Sequence, residues 1–469
     1  MTADNPSYQR PALMVTTLGS FIIPFMGSSI NIALPSIGRE FSLDALMLNW
    51  VTTSYLLSIA VFLLPFGRIS DIYGIKKVFL LGFILFTLFS FFSALSPSPS
   101  FLIGSRVFQG IGASMTASTG IAILTSVFPP NKKGRVLGIN VAAVYTGLSC
   151  GPFFGGLLTQ HYGWRSIFWV NLPVGFMIIL YTLFRLKGEW AEARGERFDW
   201  MGSLFYSSAL VVMMFGFFRI SSSMGLILLA IGLIGIGIFI RWELRVKSPI
   251  FEMRLLTENR VFAFSNLAAL INYSATFALN FLLSLYLQSV RGLKPQEAGL
   301  ILITAPVIQA LFSPFAGRIS DRIEPRKVAS TGMAITTLGL FLFIFLDEKT
   351  DLFTIVGYLL LLGFGFALFS SPNTNAVMSS VEKRSYGVAS GTLSTMRSVG
   401  MMFSMGLVML IFSIFMGRTP IAPPYFPLFL KSVKGAFILF TVLCALGIGA
   451  SLSRGPSPIL SHPQGKGSN

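Results

Sequence analysis

Four groups of residues in this chain have types and spacings that could do chemistry. The first is Gly67-Arg68-Ile69-Ser70-Asp71, continuing to Gly74, Lys76 and Lys77. It sets one carboxylate among cations between two apolar runs. A carboxylate there can cap a helix start or pair with a neighbouring cation. Such contacts can form in one conformation and break in another, which makes a latch. The same five residues recur as Gly317-Arg318-Ile319-Ser320-Asp321, 250 positions later, and Lys77-Val78 recurs as Lys327-Val328. Between those matches the second copy departs from the first: Glu324 stands where the first has Gly74, and Pro325 follows it.

The second group is Arg106 and Arg397, each inside an otherwise uncharged apolar run. An ionisable residue at such depth marks a functional site by default. The bland reading of Arg106 is an anchor that snorkels to the surface. The third group is Gly147, Gly151 and Gly155, at i, i+4 and i+8, with Pro152 and Gly156. Its small residues form a smooth helix face for close packing, and the proline removes one backbone hydrogen bond and bends the helix. The fourth is a scatter of polar residues in apolar runs, of which Asn31, Tyr55, Gln109 and Tyr145 are cavity candidates together with Arg397.

Just as informative is the chemistry these residues cannot do. The 469-residue chain has two histidines and two cysteines, which leaves no metal site and no disulfide framework. No Asp or Glu lies within an apolar run, so the acid–base constellation an embedded enzyme needs is missing. Only 11% of residues are charged and 53% are hydrophobic, with a mean hydropathy of +0.74. That excludes an ordinary water-soluble domain.

The elements that must position these residues are membrane helices. Fourteen apolar runs are each long enough to cross a bilayer core, which takes about 20 residues. If the N-terminus is cytoplasmic, most of the 35 Lys and Arg fall in the inside segments, so the positive-inside rule places both termini in the cytoplasm. The same topology accounts for the net charge of +17 without any nucleic-acid partner.

The repeat divides the chain into two parallel six-helix halves, to which Gly134, Gly138 and Gly147 against Gly387, Gly391 and Gly400 add a fainter match. Two surplus spans between them give a 6 + 2 + 6 order. The expected division is 1–186 for the first bundle, 187–260 for a linker with two extra helices, 261–453 for the second bundle and 454–469 for a cytoplasmic tail. The flanks 187–199 and 241–258 mix charged and apolar residues and read as short amphipathic helices on the inner surface.

The string Gly67 to Lys77 resembles the loop signature of the major facilitator superfamily. Asn31-Ile-Ala-Leu-Pro35, Arg106-Val-Phe-Gln109-Gly110 and Gly163-Trp164-Arg165 are similar to strings of its fourteen-helix drug:proton antiporter branch. Gly147-x-x-x-Gly151-Pro152-x-x-Gly155-Gly156 resembles the signature associated with antiporters.

The resemblance implies an all-α major facilitator fold and a monomer in the cell membrane without cofactor. It implies export of small amphipathic compounds by alternating access, with a proton as the coupling ion. It also implies gating roles for the two loop copies, a conformational-switch role for the Gly147–Gly156 segment, and a coupling role for Arg106. An aspartate that often stands in the first span of this branch is Met26 here. That difference, together with Arg397, leaves a second reading open: a facilitator or anion carrier of the same fold.

Overall fold

The computed structural model describes residues 6–455, apart from 187, 192 and 383–385; the side chains of 6, 7, 130–135 and 321 also lie outside the description. Fourteen helices in the described chain are long and apolar enough to span a membrane. They are α1 Tyr8–Phe41, α2 Ala45–Tyr73, α3 Ile75–Ala94, α4 Pro99–Val127, α5 Val136–Tyr162, α6 Ser166–Phe184 and α7 Trp200–Phe218. Then follow α8 Ser223–Glu243, α9 Arg260–Val290, α10 Pro295–Ser320, α11 Pro325–Phe345, α12 Leu352–Ser379, α13 Tyr386–Phe415 and α14 Pro423–Leu452. No strand occurs among the described residues.

Hydrocarbon forces every backbone group in a span to bond within the chain, so long apolar runs become helices. Their starts are marked by short polar caps. Asp44 accepts from Met47 N (2.7 Å), Asp199 from Gly202 N (2.9 Å) and Asp351 from Phe353 N (3.0 Å). Each cap satisfies one of the orphan donors of a first turn. α9 is α-helical to Leu285 but for a turn at 277–278, and finishes as a π-turn over Tyr286–Val290.

Internal contacts divide the chain into two compact units. The first comprises 1–251, 277–303 and 401–433; the second comprises 252–276, 304–400 and 434–469. In the first unit α3 and α4 cross at two glycines: a Cβ on Gly82 would meet Gly112 O at 2.9 Å, and one on Gly112 would meet Phe86 N at 2.5 Å. In the second unit α11 and α12 cross the same way, Gly332 against Gly365 O at 2.8 Å and Phe369 N at 2.5 Å. Gly82 and Gly332 stand at the 250-residue offset of the loop motif, so the repeat extends from sequence into helix packing.

The extra pair α7 and α8 packs through Gly216 and Gly232, with Gly225 against the turn at Arg219 and Ile220. Tyr206 and Ser207 on α7 donate to Ala60 O (2.8 Å) and Val61 O (3.3 Å) of α2. Of the two amphipathic helices expected at the flanks, the first does not form among the described residues, and the second is a single short helix, Met253–Glu258. The second flank begins with the last residues of α8, while residues 188–191 and 193–199 of the first are turn and irregular, with Gly188 and Gly195 at positive φ. The reason lies in what the first flank binds, described next.

Candidate functional site

The loop between α2 and α3 is clasped by that first flank. Gly74 has φ +127°, a conformation only glycine adopts cheaply, and it lets the chain reverse tightly from Tyr73 into α3. Ile75 then donates its N–H to Trp190 O (2.8 Å), Lys76 N donates to Glu189 Oε1 (2.9 Å), and Ala193 N donates to Asp71 O (2.9 Å). A helix start carries unsatisfied N–H groups and partial positive charge, so Glu189 belongs there by charge as well as by bonding. Backbone groups spent on this docking cannot close the turns of a surface helix.

Arg68 completes the clasp. Its guanidinium pairs with Glu196 at 2.5 Å, and Glu196 also accepts from Ser248 Oγ at 2.9 Å. The Ser248 hydroxyl and the Arg68 charge hold the Glu196 carboxyl below the ordinary glutamate range. Lys77 is exposed and Lys76 half-buried.

The second motif copy keeps the local geometry. Ser320 Oγ donates to Gly317 O at 2.7 Å, as Ser70 Oγ does to Gly67 O at 2.7 Å. Gly67 faces Ser118 of α4, and Gly317 faces Ser371 of α12. Arg318 is exposed, and the Asp321 side chain lies outside the described residues. At the diverged position Glu324 pairs with Arg326 at 3.1 Å.

The glycines of α5 work in two directions. A Cβ on Gly147 would strike Phe21 O of α1, one on Gly151 would strike Ser28 Oγ, and one on Gly155 would come within 2.9 Å of Ser29 Cα. Ser29 Oγ donates to Gly151 O at 3.1 Å. Gly156 faces another way, against Pro295 O at the start of α10, while Gly299 of α10 abuts Pro152 O. The motif thus brings α5 into backbone contact with α1 on one side and α10 on the other. In the second unit Gly400 of α13 sits on Leu270 O of α9 at 2.7 Å, the counterpart of Gly147 on α1.

The structure brings two of the cavity candidates, Tyr55 and Gln109, together with Arg106. Arg106 is 0% exposed, which overturns the snorkelling-anchor reading. Its Nη1 donates to Gln109 Oε1 (2.7 Å) and its Nε to Val51 O (3.3 Å), and its Cζ lies 4.1 Å from the Tyr55 ring centroid. Gln109 passes the chain on to Ser90 Oγ (2.7 Å). A guanidinium fixed by bonds and by an aromatic face is desolvated at far lower cost than a bare one.

Asn31 stands apart from that cluster: its Oδ1 accepts from Thr52 Oγ1 (3.3 Å) and its carbonyl from Ser284 Oγ (2.6 Å). Tyr145 is half-buried on α5. Arg397, in the second unit, donates Nη2 to Thr374 Oγ1 (2.7 Å), with its Cζ 5.7 Å from the Tyr273 ring centroid. Met26 is fully buried, and its sulfur accepts from Asn171 Nδ2 at 2.9 Å.

Several residues escape sequence reading. Glu189 and Glu196 look like surface charges of a linker, and nothing in their spacing links them to residues more than a hundred positions earlier. Glu40, a lone acid at the end of α1, accepts from Trp164 Nε1 (2.7 Å) and pairs with Arg165 (2.7 Å). Arg454 reads as a tail charge, yet it is 1% exposed. Gly82 and Gly332 were findable, because their offset equals that of the motif.

Backbone-contact helix crossings repeated in two halves, a loop reversed at a positive-φ glycine and a bilayer's worth of apolar helices are the features of a polytopic membrane carrier. The chain belongs to the Major Facilitator Superfamily, whose family model matches residues 16–242 and 266–468. It is a multi-pass membrane transporter and not an enzyme. Over 398 residues it is 33% identical to the multidrug resistance protein Stp of Mycobacterium tuberculosis, covering 84% of this chain and 74% of that protein. Over a stretch of equal length it is 31% identical to the riboflavin transporter RibZ of Clostridioides difficile, covering 84% and 86%. A bacterial homolog of the human lysosomal transporter Spinster, solved inward-facing and occupied, superposes with a TM-score of 0.69 at 16% identity, covering 96% of this chain and 97% of that one.

Proposed function

We propose that this protein is a secondary active exporter of small amphipathic compounds, working by alternating access in the cell membrane with both termini in the cytoplasm. The observation that carries the reading is α5. Gly147, Gly151 and Gly155 lie on α1 while Gly156 and Pro152 meet α10 through backbone atoms. Packing of this kind has no interdigitated side chains to unlock, so one helix can slide or bend against another at small cost. The Arg68–Glu196 pair and the Glu189 cap act as the latch on the loop side, formed in one state and released in the other. Similarity to Stp and to other efflux proteins supports export. The coupling ion is the proton, exchanged by a carboxylate at a helix end or through the Arg106 cluster.

A second reading has a specific observation behind it. Met26, buried against Asn171, stands where a carboxylate would couple a proton, and Arg397 offers a cation to an anionic solute. The similarity to RibZ makes riboflavin a compound to try. On this reading the protein is a facilitator or anion carrier that works without a proton.

Flux in proteoliposomes separates the two. The panel is cationic, neutral and anionic amphiphiles plus riboflavin, with and without an imposed pH gradient. Gradient-driven uphill movement establishes exchange for protons. Movement that ignores the gradient and vanishes in Arg397→Ala establishes the second reading.

A further inference from the structure

At one end of the second unit, the start of α9, the start of α11 and the residues just past α14 border a small cleft that is partly open to solvent. Val261, Glu324, Pro325, Arg326, Ala376 and Arg454 line it. Arg454 is 1% exposed, and its Nε, Nη1 and Nη2 all lack a hydrogen-bond partner among the described residues. Burial pulls its pKa down to about 9, so the guanidinium still carries its charge at neutral pH.

The cleft's own charges do not answer that cation. Glu324 Oε2 is taken by Arg326 at 3.1 Å, and its Oε1 is buried with no partner. Arg326 and Glu324 neutralise one another, and Arg454 remains as one positive charge in excess. Arg260, nearby in sequence terms, adds a further cation and holds the end of α14 by donating Nε to Ser453 O at 2.8 Å. The start of α11 adds the positive end of a helix dipole, although Pro325 has no N–H to offer and Lys327 N already donates to Glu324 O at 2.9 Å. The sequence from 456 to 469 contains no Asp or Glu.

A buried guanidinium without an acceptor is costly, and its planar fork matches the oxygens of carboxylates and phosphates. We propose that Arg454, with Arg326 and the start of α11, forms a binding site for one phosphate-class oxyanion at the membrane surface. Two sources supply that chemistry, the headgroup of an anionic phospholipid and free phosphate. The site lies outside the transport path argued above and does not depend on it.

Thermal unfolding of the full chain in a neutral detergent tests this, with added phosphatidylglycerol, phosphatidylcholine or inorganic phosphate, and native mass spectrometry to count retained lipid. Wild type is expected to be stabilised by phosphatidylglycerol or by phosphate. The response should be about tenfold weaker or more in Arg454→Gln, since a charged hydrogen-bonding partner is lost. Arg454→Gln should itself fold, because it removes a buried charge that has no partner. Arg454→Lys keeps the charge without the fork and should respond weakly. Arg322→Gln, an exposed basic residue nearby in the chain, should respond as wild type does.

Stabilisation by phosphatidylglycerol alone identifies the lipid as the source; stabilisation by phosphate as well identifies the free ion. Equal responses in wild type and Arg454→Gln overturn the proposal. So does a lipid-independent loss of stability of the same size in Arg454→Gln and Glu324→Gln, since the two side chains would then be each other's partner.

Discussion

The carboxylate of Glu189 fills the space that a side chain on Gly74 would need. An added Cβ would sit 2.6 Å from both Glu189 Cδ and Oε1, at a backbone φ of +127°. Gly74→Ala therefore meets two separate penalties, backbone strain and displacement of the helix cap. The variant should lose about 1–3 kcal/mol of stability and most of its transport. Adding Glu189→Ala removes the clash but not the strain, so the double variant should recover only part of the loss. Thermal unfolding of the three proteins, side by side with flux, decides it; full recovery in the double variant would refute the strain.

On the proposed reading Arg68 and Glu196 form the latch, but their stability effect should be small. Glu196 is half exposed, and pairs in such surroundings contribute about 0–1 kcal/mol. Glu196→Gln should thus unfold within a few degrees of wild type while its transport falls. The pH dependence has a definite sign. A carboxyl lowered in the folded state stabilises at pH values above its unfolded value, and that contribution disappears as pH falls through the folded value. Wild type should accordingly lose a small increment below the ordinary glutamate range, and Glu196→Gln should not. An identical acid profile for both proteins would dissociate Glu196 from the latch.

On α5, position decides the outcome of a glycine substitution. Gly147→Ala drives a Cβ into Phe21 O, and Gly156→Ala drives one into Pro295 O. Both should impair transport, with a stability cost of about 1–3 kcal/mol from overpacking. Gly138, on the same helix, has open space around its Cβ position. Gly138→Ala should be neutral or stabilise by up to about 1 kcal/mol. If all three variants transport alike, the tight crossings have no part in the conformational change.

Gln109 supplies the acceptor for Arg106 Nη1, while Nη2 has no hydrogen-bond partner among the described residues. Gln109→Leu leaves Arg106 Nη1 without its 2.7 Å acceptor and should cost about 1–3 kcal/mol. Gln109→Glu supplies a charged acceptor at the same place and should restore folding. Comparing yields and melting temperatures of the two variants tests whether hydrogen bonding or mere shape is at stake.

Met26 offers a gain-of-function test. Met26→Asp places a titratable group against Asn171, where wild type has only a thioether. Transport by this variant should acquire a pH dependence that wild type lacks or shows less of. Matching pH profiles of flux would mean that this position takes no part in coupling.

The fourteen spans, the loop repeat and the glycine face of α5 were legible because each is a local pattern, an apolar run or a fixed spacing. The docking of 188–199 was not. Its bonds to Ile75, Lys76 and Asp71 are mostly backbone bonds to distant residues, and backbone donors leave no trace in residue type. Arg106 was legible as an oddity but not as part of a cluster with Tyr55, since nothing in the sequence says which faces of α2 and α4 meet. Glycine pairs such as Gly82 and Gly332 hid among 45 glycines, although their shared offset marked them out.

α8 has 21 residues, about 31 Å of helix at 1.5 Å per residue, close to the roughly 30 Å hydrocarbon thickness of a bilayer. Leu226, Ile227, Ile231, Leu233, Ile234 and Ile238 are all exposed along it, so acyl chains are its main neighbours. Its glycines nevertheless pin it to α7, which is tied to α2 through Tyr206 and Ser207. A thinner or thicker membrane must tilt this outrigger to hide its ends, and the tilt pulls on the helix that carries Arg68. Turnover should therefore vary with lipid chain length even when no lipid touches the solute.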